Sequence, residues 1–169
     1  MRRVSIPLIC GIAALLLALA PRAHAAEVAL DQVPKVVMDA VTTRFADATV
    51  RAAATEKTPE GNEVYEINLE GKDLNNIDMT LTPEGAMVLI EQQIERERLP
   101  AALAKTLEAK FPKARYRLIE EVITMKDKEE KLSHYEVLLI TRQKQIRSVE
   151  VGLDGKILKV EKKTSEEED

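Results

Sequence analysis

Few side chains in this sequence could do chemistry. His134 is one of them. A lone imidazole can act as a base or a metal ligand, but a base needs an oriented partner and a nucleophile within reach. No Ser or Cys nucleophile motif accompanies it. Carboxylates are plentiful, in Glu120-Glu121, Glu129-Glu130 and Glu91. Two of them converging in a cleft, one with a raised pKa, would be the apparatus of glycoside hydrolysis. In a chain that is 32% charged, adjacent glutamates are expected to be solvated, so no enzyme is expected. No Gly-rich phosphate loop, paired-cysteine motif or calcium-loop pattern occurs, and no cofactor or metal is expected. Weak calcium binding by the acidic tail 164–169 stays open.

The remaining candidate chemistry is that of a surface. In "YEVLLI" the inward alternation holds, yet the outward positions carry Glu136, Leu138 and Ile140, and the next strand adds Ile146 and Ser148. A strand that is apolar on both faces packs on something or forms a patch with a polar rim, the usual mark of a protein-binding surface. These five residues are the candidate partner-binding set. Packing on a dimer mate would serve the same face, so a homodimer stays open. The five aromatics (Phe45, Phe111, Tyr65, Tyr116, Tyr135) all fall at expected core or strand positions, and there is no Trp. No stacking platform is left for sugars or single strands.

The elements that position these residues follow a leader. Residues 1–25 have a basic start, an apolar run at 8–20 and Ala23-His24-Ala25 before Ala26, the pattern of a secretory signal peptide. The run is shorter than the roughly 20 residues that span a bilayer, so no stable membrane anchor is expected after cleavage. Removing it takes away Arg2, Arg3 and Arg22 and no acids, which turns a net charge of −4 into −7. Clustered cations for nucleic acid are therefore not expected. Cys10 and His24 leave too, so disulfides are excluded and the domain must rely on its apolar core. The expected location is periplasmic or extracellular.

The rest of the chain says one thing twice. "VPKVVMDAVTTRFADAT" and "LPAALAKTLEAKFPKAR" align Pro34 with Pro100, Phe45 with Phe111 and Ala48 with Ala114. Each proline suits the first turn of a helix. Val33, Val37 and Val41, and then Leu99, Leu103 and Leu107, mark one buried stripe per helix. Asp31 is the expected N-cap of the first helix and Pro112 the stop of the second. After each helix the apolar period drops to 2, as in Tyr65, Ile67, Leu69 and in Ile77, Met79, Leu81, the pattern of half-buried antiparallel strands. Gly85 and Gly155 mark matching turns. The expected fold is α+β: two tandem repeats over 26–94 and 95–163, each a helix followed by about four antiparallel strands, with the helices on one sheet face. A unit of that size is marginal alone, so two copies would share a core or a continuous sheet.

The stretch "IERERLPAALAKTLEAKFPKARYRLIEEV" with "HYEVLL" and "VGLDGKILKVE" resembles the PepSY-like domains of secreted bacterial proteins, a family similar in fold to the beta-lactamase inhibitor protein. The resemblance covers residues 94–161 and is weaker over 33–91, where "RFADAT" and "NLEGKDLNN" depart from it. It implies a non-enzymatic binding module, in some relatives an inhibitor of a peptidase or hydrolase, and carries no catalytic residues. The expected function is thus binding of a protein partner through the open sheet face or the hairpin loops. The alternative is a small-ligand sensor or carrier, with an apolar cavity between helix and sheet lined by Val37, Val41, Leu69 and Leu81.

Overall fold

The computed structural model describes residues 26–58, 60–72, 75–126 and 129–163. The expected signal segment 1–25 and the tail 164–169 lie outside the described residues. The chain forms, in order, β1 (Ala26–Glu27), α1 (Lys35–Arg44), β2 (Thr49–Lys57), β3 (Glu63–Glu70), β4 (Asn76–Leu81), β5 (Met87–Gln93), α2 (Ala101–Lys110), β6 (Arg115–Lys126), β7 (Glu129–Ile140), β8 (Ile146–Gly152) and β9 (Ile157–Lys163). A short 3-10 turn precedes each helix, at Leu30–Gln32 and at Arg96–Arg98.

Proline sets both helix starts. Val33 and Leu99, each just before a proline, are extended at φ −69° and −66°, as a pre-proline residue must be to avoid the ring. The carbonyls of Pro34 and Pro100 then accept the first helical N–H bonds, from Val37 and Met38 and from Leu103 and Ala104. Asp31 is not the N-cap: it sits in the 3-10 turn, and Pro34 occupies the cap without a side-chain bond. Val37 and Val41 on α1, and Leu103 and Leu107 on α2, are spaced i, i+4 and are the buried residues of their helices.

The expected pair of four-stranded units is not what the chain builds. The nine strands of the described residues pair in chain order in one antiparallel sheet, and two ten-residue helices are the only α-helices among those residues. The molecule is mostly sheet, not two helix-plus-four-strand repeats. The reason lies at the β5–β6 seam, where Leu89–Gln93 pair with Glu120–Thr124 and neither strand is left as an edge. The cores interlock there as well. Ile123 of β6 packs against the α1 cluster, whereas Ile94, just after β5, belongs to the α2 cluster. On the same side, Arg44 at the end of α1 donates two bonds to Glu130 of β7, at 2.8 and 2.9 Å.

Alternation in each strand sorts side chains onto two faces. One face carries both helices and both apolar clusters. No helix or strand among the described residues lies over the other face.

Two turn glycines at matching positions differ in what surrounds them. Gly85 and Gly155 both have positive φ, at 79° and 82°. A Cβ on Gly85 would come within 2.8 Å of the Val36 carbonyl oxygen, whereas one on Gly155 would meet nothing nearer than the Thr106 hydroxyl at 3.6 Å. Gly155→Ala is expected to cost about 1 kcal/mol for its backbone alone, and Gly85→Ala roughly 2–3 kcal/mol because the turn must also move off α1. Urea unfolding of the two variants compares them directly.

Candidate binding face

The five residues expected to bind a partner come together on the open face. Glu136 lies opposite Glu150, Leu138 opposite Ser148 and Ile140 opposite Ile146. Leu118 of β6 joins them opposite Leu138. Leu118, Leu138, Ile140 and Ile146 are half-buried, an apolar patch across the start of β6, the end of β7 and the start of β8. Ser148 is buried, 4% exposed, and its hydroxyl donates to the Glu136 carboxylate.

Above this patch runs a feature that sequence reasoning did not assemble. A line of carboxylates crosses the open face over six consecutive strands, β3 to β8: Glu66, Asp78, Glu91, Glu120, Glu136 and Glu150. Asp78 is directly opposite Glu91, Glu120 opposite Glu136, and Glu136 opposite Glu150. Like charges set opposite each other repel. Burial, followed by repulsion from Glu136, Asp78, Glu66 and Glu150, pushes the Glu91 carboxyl up to about 7. Burial, then Glu91, Glu136 and Asp78, pushes Glu120 up to about 8. Glu66 is raised by burial and by Glu56 and Asp78. Asp78 is raised by burial, partly offset by the amide of Asn68 that donates to it at 2.8 Å. The row ends at β9, where the Lys159 ammonium stands 3.6 Å from Glu150.

The carboxylates singled out from sequence therefore have different fates. Glu120 and Glu91 belong to this row and are half-buried, not freely solvated. Glu121, next to Glu120 in the strand, points to the helix face and pairs with Arg98 at 3.0 Å. Glu130 is held by Arg44. His134 lies opposite Val122 and Gly152, with its Nδ1 3.1 Å from the Ser133 hydroxyl. Among the described residues no three His, Cys, Asp or Glu side chains are grouped to hold a metal ion.

Between helix and sheet there is no room for a ligand where one was expected. Val37, Val41, Leu69 and Leu81 are 0–1% exposed and packed in one cluster. A cleft of about 520 Å³ lies elsewhere, at the hairpin ends, lined by Thr58, Val64, Pro83 and Val88 among others.

No protein-family model matches the chain, and no curated protein matches it either. No helix among the described residues is long and apolar enough to cross a membrane. The fold itself is shared with solved structures. One is a protein of Bacteroides eggerthii described as periplasmic, similar over 77% of this chain and 88% of its own, at 13% identity and a TM-score of 0.61. Another is a BLIP-like protein of Bacteroides fragilis, similar over 78% of this chain and 87% of its own, at 12% identity and a TM-score of 0.57. The likeness is one of architecture: this chain folds in the manner of a BLIP-like protein.

Proposed function

We propose that the protein is a non-enzymatic binding module of the periplasm that holds a protein partner on its open sheet face. The observation that carries this reading is the uncovered face itself, where an apolar patch of four side chains adjoins a row of six carboxylates. Apolar contact supplies affinity, and the row selects a cationic partner, whose approach draws the protons off Glu91 and Glu120 and offsets the repulsion along the row. The chemistry that fits is a basic segment with an apolar anchor, its Lys or Arg side chains crossing the row. The periplasmic setting rests on the leader-like residues 1–25 and on the Bacteroides eggerthii neighbour. The PepSY-like resemblance of residues 94–161 and the BLIP-like neighbour favour a module that works by occupying another protein, and inhibition of a peptidase or hydrolase is the specific form they suggest.

The test is capture of partners from a periplasmic extract by the wild type and by Leu138→Asp/Ile140→Asp. Truncating or charging a central anchor costs at least about 2 kcal/mol, roughly a thirtyfold loss of affinity. Partners retained by wild type are expected to be lost from the double variant. Equal recovery by a folded variant removes this surface from consideration.

A further inference from the structure

We propose that β9 is a self-association edge, at which a second copy of the chain adds its own β9 antiparallel, about a two-fold axis through Val160. Among the described residues β9 pairs only with β8, so alternate residues turn their N–H and C=O groups outward with no described strand to meet them. The edge is also oily. Of the seven large hydrophobics that are exposed among the described residues, three lie on β9 or its turn: Leu153, Leu158 and Val160, at 52%, 58% and 42%.

Charge chooses both the occupant and the register. Lys159 and Glu161 project to the open face, opposite Glu150 and Ser148 of β8, and Val160 projects to the helix face opposite Val149. With the axis at Val160, Lys159 faces the partner's Glu161 and Glu161 faces the partner's Lys159. Val160 then meets the partner's Val160 and Lys162 the partner's Leu158, where the bulge of β9 ends the regular pairing. Moving the axis one residue back sets Lys159 against the partner's Lys159. Moving it one residue forward sets Glu161 against the partner's Glu161 and Lys159 against the partner's Lys163. Like charges directly opposite destabilise a pair of strands, and only the Val160 register among these three avoids them. Lysines on an edge ordinarily discourage pairing. Here the centred register gives Lys159 and Lys162 partners that are not cationic. The same strand on both sides closes the assembly at two copies, since an isologous contact leaves no further β9 free. The inference does not depend on what the open face binds.

Sedimentation of the purified protein from micromolar to near-millimolar concentration tests it. The wild type is expected to dimerise. Lys159→Glu alone and Glu161→Lys alone each place like charges opposite one another twice, and each is expected to weaken the dimer about tenfold or more. The double swap Lys159→Glu/Glu161→Lys restores complementary pairs with reversed polarity and is expected to return most of that loss. A wild type that is monomeric throughout, or a double swap no tighter than the single variants, overturns the proposal. Val160→Cys gives an independent reading. Residues paired on the axis have Cα atoms about 5.5 Å apart, within disulfide range. Mild oxidation is expected to crosslink this variant and not Leu153→Cys, and absence of the crosslink likewise overturns the proposal.

Discussion

Raising the pH from 5 to 9 is expected to destabilise this protein by on the order of 3 kcal/mol, opposite in sign to the effect of ion-paired carboxylates, whose folded pKa is lowered. The cause is the row on the open face. In the unfolded chain Glu91 and Glu120 titrate near the usual 4.5, whereas in the folded protein they hold their protons to about 7 and about 8. Below pH 4.5 both states carry the protons and nothing is lost. Between pH 4.5 and 8 the unfolded chain sheds protons that the folded chain keeps, so each step up in pH favours unfolding. Above pH 8 the carboxylates ionise in place, half-buried and facing other anions, and the loss is complete. Each pKa unit corresponds to about 1.4 kcal/mol. The two groups repel and titrate together, so the combined loss falls short of the sum of their separate shifts. Glu91→Gln/Glu120→Gln keeps the shape and removes the charge. At pH 9 it is expected to raise stability by about 2 kcal/mol and the Tm by roughly 5 °C, and at pH 4 to change little. Denaturant unfolding at pH 4, 7 and 9 decides it: a flat profile for wild type, or an equal slope for the variant, contradicts the assignment.

Much of this molecule could be read from local pattern, and the limits of that reading have a physical cause. Pro34 and Pro100 fix their own φ and push Val33 and Leu99 to extended geometry, so the helix starts were legible to within a residue. Ile67, Leu69, Met79 and Leu81 alternate strictly, so the strands and their core face were legible too. The two-faced character of β7 was visible in Leu138 and Ile140. What local pattern does not encode is which strands meet. β5 ends at Gln93 and β6 begins at Arg115, with a helix between them. No turn chemistry specifies their pairing, so a continuous sheet stood beside a merely shared core as an expectation, and the β5–β6 register that decides for the sheet was not visible. The carboxylate row has the same origin. Each member looks like a routine outward residue on its own strand, and only the registers that set Asp78 against Glu91 and Glu120 against Glu136 turn six separate acids into one coupled group. Asp31 failed as a cap for a different reason, because Pro34 had already supplied the helix start three residues later.

The second large effect is expected at the seam. Ile90 is 0% exposed, lies opposite Ile123 and belongs to the α1 cluster. Ile90→Ala removes three buried carbons and leaves a cavity, at a cost of about 3–4 kcal/mol. The informative quantity is where that cost appears. If each half folded alone, amide protection would fall in β3 and β4 and stay unchanged in β8. In one continuous sheet the loss is shared. β6 is paired along five residues to β5, its Ile123 is seated in the first cluster, Ile94 is seated in the second, and β7 is tied to α1 through Glu130 and Arg44. Unfolding the first half would expose the edge of β6 and uncover Ile123, so the second half would lose stability with it. Hydrogen exchange of the Val149 and Val151 amides, which lie three strands from the substitution, is therefore expected to fall by the same free energy as that of Met79. Urea unfolding is expected to show one transition with an unchanged m value. A second transition, or protection at Val149 that ignores Ile90, would mean that the seam joins two independent units. The joined sheet bears on the proposed binding face as well, because the acidic row crosses the seam between Glu91 and Glu120 and the β5–β6 pairing fixes the spacing of those two carboxylates.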